Sequence, residues 1–286
     1  MGVSLQPIAV ADAPRVGAFL HAHLNPKVTA EHWARSIDVP WAVDAPNAGF
    51  MLTDDDGEIV GAHLAFYSER EIDGRRERFC NLGAFCVLEA HRFHSLRLLK
   101  ALLAQDGYTF TDLSPSGNVV ELNRRLRFEA LDTAAALVPN LPWPSRPGRD
   151  VISSDPAVIE RTLSGNQLAL YRDHRDAAAG RHIVLIRGDE WCYVIVRRDR
   201  RKGLPLFASV LHASHPELLR RMGRPFARHL LLRHGALATL AEERVVGPAP
   251  RLSVALPATR QKMFRSRHLG PAQIDYLYSE LVCVSW

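Results

Sequence analysis

The sequence is poor in the residues that staple or metallate small folds. It has four cysteines in 286 residues, Cys80, Cys86, Cys192 and Cys283, and none belongs to a CxxC pair. Each lies in an apolar run that reads as strand, where cysteine behaves as a small buried hydrophobe. A zinc site and a disulfide framework are therefore not expected. No stretch approaches the roughly 20 apolar residues that cross a bilayer. The opening residues, MGVSLQPIAVADAP, show no basic flank leading into an apolar core, so the expected address is the cytoplasm. Aromatics are not interleaved with basic residues, and nucleic-acid binding through stacked bases is not expected.

The chain is 47% hydrophobic and 23% charged, the range of a folded globular protein. Its length allows one large domain or two ordinary ones. The net charge of +5 comes mostly from arginine clusters at 124–125, 197–198, 200–202 and 220–221. Such clusters suit a phosphorylated ligand, whereas Arg197 to Lys202 reads as a solvated hairpin loop.

Hydrophobic periodicity and turn residues give an element order of β-α-α-β-β-β-α-β-α-β for the first half. Asp12 and Pro14 start a helix carrying Val16, Phe19, Leu20 and Leu24 on one face, and Thr29 starts a second. Asp54-Asp55-Asp56-Gly57 and Asp73-Gly74 mark two hairpin turns. Phe79 to Leu88 is a continuous apolar run, as expected of a strand buried on both faces. A helix over 93–105, a strand over 108–113 and a helix to about residue 126 follow. Pro139 to Pro147 (PNLPWPSRP) reads as a linker.

The second half repeats this grammar, with a hairpin around Gly188-Asp189, a buried strand over 206–211, a long helical region ending at His234-Gly235, and a strand over 236–241. Gln261 to Ser266 is expected to be helical, and Ile274 to Val284 to hold one or two final strands. The run Asp275 to Glu280, unusually polar and aromatic for a last strand, reads as a strand with two faces, with the lining of a substrate cleft as the alternative. Arg92, Ser95, Leu102, Leu103 and Gly107 fall opposite Arg220, Gly223, Leu230, Leu231 and Gly235, each pair 128 residues apart. A duplicated unit explains the shared spacing. The expected division is an N-terminal domain over 1–138, a proline-rich linker over 139–150 and a C-terminal domain over 151–286.

The stretch CVLEAHRFHSLRLLKALL joins a strand to a helix through a basic turn. It resembles the R/Q-x-x-G-x-G/A element of the GNAT superfamily, the acyl-CoA-dependent N-acyltransferases. Arg92 holds the first position of that pattern, Ser95 replaces the first glycine, and Arg97 replaces the second small residue. The second half offers Arg220, Gly223 and Arg224, with Pro225 at the last position. A further segment, Ser116 to Phe128, resembles the N-x-x-A-x-x-L-Y-x-x-x-G-F helix of many members. There Asn123 stands at the tyrosine that serves the family as general acid, and Arg127 stands at the glycine.

The resemblance implies an α/β fold of two tandem GNAT-like units, each a mixed, mostly antiparallel sheet with helices on both faces. It implies acetyl-CoA or another acyl-CoA as co-substrate, an amine of a small molecule or peptide as acceptor, and no metal. Phe85, Cys86 and Val87 would pair with the pantetheine arm. Arg92, Phe93, His94, Ser95 and Leu96 would hold the pyrophosphate at a helix N-terminus, with Arg220, Gly223 and Arg224 as the second unit's counterpart. The candidates for the acid–base chemistry are Glu89, Asp112 and Asn123, with His91 and His94 beside the loop. The departures from the patterns leave an alternative, a degenerate GNAT-fold pair that binds or scaffolds without catalysis.

Overall fold

The computed structural model describes residues 2–144, 148, 150–201, 204–257 and 259–285. The first half runs β1 (Ser4–Pro7), α1 (Ala13–His23), α2 (Ala30–Ile37), β2 (Gly49–Thr53), β3 (Ile59–Ile72), β4 (Arg75–Val87), α3 (Ser95–Leu103), β5 (Tyr108–Asp112), α4 (Gly117–Arg125), β6 (Glu129–Ala130) and β7 (Ala135–Pro139). The second runs β8 (Asp150–Ser153), α5 (Pro156–Thr162), α6 (Gly165–His174), β9 (Gly180–Arg187), β10 (Glu190–Arg201), β11 (Leu204–Ala213), α7 (Pro216–Arg221), α8 (Gly223–His234), β12 (Ala238–Glu242), α9 (Glu243–Val246), β13 (Val254–Leu256), β14 (Met263–Arg265) and α10 (Glu280–Cys283).

Local chemistry explains most of these boundaries. Thr29 caps α2, its hydroxyl accepting from the His32 N–H at 3.2 Å. Asp73 and Gly74 both take positive φ, 52° and 75°, the geometry a tight hairpin between β3 and β4 requires. Gly235, at φ 62°, ends α8 in the left-handed conformation that glycine adopts freely.

The strands form two seven-stranded sheets, ordered β1-β2-β3-β4-β5-β14-β6 and β13-β7-β12-β11-β10-β9-β8. Each has one parallel pair, β4 with β5 and β11 with β12, and is otherwise antiparallel. Helices cover both faces. On β3, Ala62, Leu64 and Phe66 pack with Val16, Phe19 and Trp33 of α1 and α2, whereas Ala65 and Tyr67 pack with Leu99 and Leu102 of α3. The second sheet repeats this, with Ile183, Val194 and Val196 against Leu218, Phe226 and Leu230 of α7 and α8. Fully buried leucines such as Leu20, Leu102 and Leu230 each contribute about 1.5–3 kcal/mol.

The two halves exchange a strand. β7 leaves the first half and pairs with β12 and β13 in the second sheet. β14 leaves the second half and pairs with β5 and β6 in the first. The registers match: Ala135 lies opposite Glu242, and Met263 lies opposite Asp112. Ala135 and Met263 are themselves 128 residues apart.

Several expectations are corrected. Residues 263–265 are the exchanged strand rather than part of a helix over 261–266. The segment 274–284 holds no strand; it runs irregularly to the helical turn α10, and Tyr276, Leu277, Ser279 and Glu280 are all buried. A two-faced strand would expose alternate residues, and Cys283 is buried on a helix instead. Arg197 lies inside β10, 3% exposed, rather than on a solvated loop; Asp199 compensates its charge at 2.8 Å. Lys202 and the linker residues 145–147 lie outside the described residues, and Pro139 closes β7.

Candidate active site

The site begins where β4 leaves β5. The two pair in parallel from Arg78–Tyr108 to Leu82–Asp112, and β4 then continues to Val87 alongside β3 only. A bulge marks the parting. Leu64 lies opposite Gly83 and His63 opposite Phe85, so Ala84 is the extra residue, at φ 49°. A non-glycine residue in that region costs about 1–3 kcal/mol, and such strain collects at functional sites. Gly83 leaves little room for a side chain: a Cβ there would stand 3.0 Å from the Glu280 Cβ and from the Phe66 ring. The second sheet repeats the bulge at Leu211, where Ile195 lies opposite His212 and Val196 opposite Val210.

Both partings open into one cavity of about 670 Å³. Gly83, Ala84, Phe85, Asp112 and Ser114 line it from the first sheet, and Arg197, Leu211, Glu242 and Lys262 from the second.

Asp112 ends β5 and is buried; loss of hydration pushes its carboxyl up to about 6. Asn123, fully buried on α4, donates from Nδ2 to Asp112 Oδ2 at 2.8 Å. These two sequence candidates therefore meet. Glu280, from α10, completes the group: Ser114 Oγ donates to Glu280 Oε1 at 2.7 Å. Burial first, and then the Asp112 charge, push the Glu280 carboxyl up to about 7, against the lowering effect of the Ser114 bond. His63 lines the cavity with its ring 4.5 Å from that of Phe85, and burial pushes its pKa down to about 3, so it is neutral. Its Nδ1 is buried and has no hydrogen-bond partner.

In the second unit's share of the cavity, Lys262 pairs with Glu242, and the Tyr276 hydroxyl donates to the same carboxylate. Glu242 ends β12 as Asp112 ends β5.

Glu89 is not part of this group. It is exposed at the start of a 3₁₀ turn over 89–94 and pairs with Arg92 at 3.8 Å. That turn leads into α3 and gathers Arg92, Phe93, His94, Ser95 and Leu96 at the helix N-terminus. Some of its N–H groups are already used: His91 donates to Leu88 O at 2.9 Å, and Ser95 to Arg92 O. Arg92 is exposed, and Phe93 is 77% exposed with its ring 4.0 Å from that of His94. Arg97 turns away to the Val3 carbonyl at 2.8 Å, which relieves the crowding its size would cause. Phe85, Cys86 and Val87 are half-buried along the free end of β4.

The second unit differs. Arg220 lies in the last turn of α7, and Gly223 and Arg224 open α8, where Arg224 stands 4.8 Å from the centre of the Trp143 ring. Beyond the Leu211 bulge, the chain covers its own strand. Arg244 donates to Ile274 O at 2.9 Å and stands over Tyr276 at 5.2 Å, fastening residues 271–276 across the opening. A smaller cavity of about 500 Å³ remains beneath them.

Ser114, His63, Glu242 and Lys262 were not singled out from sequence as site residues, whereas Tyr276 and Glu280 belong to the run weighed as a cleft lining. The signal for Glu280 itself is a lone carboxylate in the apolar run Tyr276 to Val284.

No family model and no curated protein matches the chain. Solved structures do match. A GCN5-related N-acetyltransferase of Anabaena variabilis aligns with a TM-score of 0.57 at 11% identity, covering 92% of this chain and 72% of that one. A GCN5-related N-acetyltransferase of Kribbella flavida aligns with a TM-score of 0.52 at 14% identity, over 92% and 71%. A fungal glucosamine N-acetyltransferase region, within a multi-domain β-N-acetylglucosaminidase, aligns with a TM-score of 0.56 at 11% identity, over 92% and 38%. At these identities the likeness is one of fold. Two mixed seven-stranded sheets, with such neighbours matched over nearly the whole chain, give this protein the GNAT fold, built twice in tandem.

Proposed function

We propose that the chain is an acyl-CoA-dependent N-acyltransferase with one working site, in the first unit. The observation that carries this reading is the parting of β4 from β5 at Ala84, which opens a strand edge into a cavity holding ionisable carboxyls. The backbone of Phe85, Cys86 and Val87 on that edge can pair with the amides of an extended pantetheine arm, as an added strand would. The start of α3, with Arg92, Phe93, His94, Ser95 and Leu96, supplies N–H groups and positive charge for a pyrophosphate. The acyl carbon then falls near Ala84, in reach of an amine entering between the two sheets.

Asp112 is mostly ionised at neutral pH and attracts the ammonium of the acceptor, while Asn123 fixes the carboxylate's orientation. Asn123 itself cannot return a proton, so its part is positional. Holding amine and thioester together accounts for much of the rate enhancement of such a reaction. The second unit serves as a wall of the cavity, because residues 271–276 cover its own opening. Glucosamine belongs among the first acceptors to try, since one structural neighbour is a glucosamine N-acetyltransferase region.

The test is thiol release from acetyl-CoA in the presence of glucosamine, lysine or spermidine. The expected result is release dependent on one of these amines, reduced about 100-fold or more in Asp112→Asn. A folded chain that neither binds acetyl-CoA nor releases thiol above the uncatalysed rate sinks the reading.

A further inference from the structure

Glu280 comes from the far end of the chain, yet it stands in the first unit's site. Its carboxyl is fully buried, its own N–H donates to Asn81 Oδ1 at 3.1 Å, and Gly83 leaves the space its side chain fills. Only one carboxyl oxygen has a partner. Oε1 accepts from the Ser114 hydroxyl at 2.7 Å; Oε2 is buried with no hydrogen bond. A carboxyl retained for stability alone would have both oxygens satisfied, because an unpartnered buried acceptor is costly. Ser114 reaches the cavity wall. The charged groups facing Glu280 are Asp112 and Arg197, whose guanidinium donates to Leu281 O at 3.2 Å.

We propose that Glu280, acting through the Ser114 hydroxyl, takes the proton that the attacking amine must lose; this rests on the acyltransferase reading above. Ser114 Oγ accepts a proton from the acceptor's ammonium as it passes its own to Glu280 Oε1. The freed amine forms the C–N bond, the C–S bond breaks, and its electron pair leaves on sulfur. The nitrogen's second proton goes to that thiolate, giving amide and free thiol. Glu280 then releases its proton to solvent, so each turnover of an ammonium acceptor yields one proton. Ser114 touches the substrate, and Glu280 is the acceptor behind it. The second half of the chain thereby completes the first unit's site with Glu280, and its strand β14 pairs with β5 at Asp112.

The experiment compares the full-length wild type with Glu280→Gln and Ser114→Ala. Acetyl-CoA affinity is measured by calorimetry. Thiol release is followed from pH 5.5 to 9 with glucosamine, lysine, spermidine or water as acceptor, whichever is fastest. Gln keeps the acceptor for the Ser114 hydroxyl, so the expected variant binds acetyl-CoA within about threefold of wild type and unfolds no more easily at pH 8. Its kcat falls about 100-fold or more, and the wild-type rise of kcat with pH, centred near 7, disappears. A Glu280→Gln enzyme with wild-type kcat and pH profile overturns the proposal and leaves the acyltransferase reading standing. Acetyl-CoA bound but never turned over with any of the four acceptors also overturns it. Failure to bind acetyl-CoA overturns both.

Discussion

Lys262 tests how the two halves are fastened together. It directly precedes the exchanged strand β14, and its ammonium pairs with Glu242 at the end of β12, so one ion pair joins the second sheet to the strand entering the first. The side chains are 8% and 7% exposed. Burial lowers the Lys262 pKa, and the Glu242 charge works against that fall. Lys262→Met leaves Glu242 buried with the Tyr276 hydroxyl and Thr259, at 3.5 Å, as remaining donors. Removing one partner of a buried pair costs about 3–5 kcal/mol, because the other charge stays desolvated. Changing both, as in Lys262→Met with Glu242→Gln, removes both desolvation penalties and should cost about 0–2 kcal/mol. The assay is urea unfolding at pH 7, read by far-UV circular dichroism and by tryptophan fluorescence. The single variant should lower the midpoint without changing the slope, and both probes should report one transition. The reasoning is refuted if the single change costs under about 1 kcal/mol, or if the double change costs as much as the sum of the two singles.

Other outcomes follow from the same geometry. Glu280 has a folded-state pKa raised from 4.5 to about 7, so the folded state holds the proton more tightly and stability falls as pH rises between those values. That raise corresponds to about 3 kcal/mol; Asp112, raised to about 6, acts in the same direction. Urea unfolding at pH 5 and pH 8 should show the loss in wild type and a smaller one in Glu280→Gln, and equal slopes against pH would contradict it. Gly83→Val should destabilise by about 1–3 kcal/mol, since its Cβ would press on Glu280 and Phe66. A thermal midpoint equal to wild type would show that α10 yields freely. Asn123→Ala should cost about 1–3 kcal/mol by leaving Asp112 buried without its amide donor, and should lower kcat in the thiol-release assay.

The sequence carried much of the fold because local chemistry sets it. Asp54 to Gly57 and Asp73-Gly74 made hairpins legible, and the spacing of 128 residues reappears in the structure as Ala135 and Met263 facing equivalent strand ends. The helices α5 and α6 were not anticipated, although Asp155-Pro156 is a cap followed by proline at the first helical position. The strand exchange was hidden for a different reason. β14 has three residues, Met263, Phe264 and Arg265, too few to show a period of two, and only its neighbours β5 and β6 make it a strand. Arg197 and Lys262 look like surface cations until Asp199 and Glu242 are placed beside them. Asp112 and Asn123 were legible through the resemblance. Ser114 and Glu280 are 166 residues apart in the chain, and only the packing of α10 over Gly83 brings them together.

The central claim is that one acyl-CoA binds, in the first unit, between β4 and β5. Isothermal titration of the folded chain with acetyl-CoA tests it most directly. The account predicts one molecule per chain, with binding lost in Ser95→Trp, which fills the start of α3, and kept in Gly223→Trp, where a side chain meets open space. No binding, two molecules per chain, or binding that depends on Gly223 and not on Ser95 would contradict it.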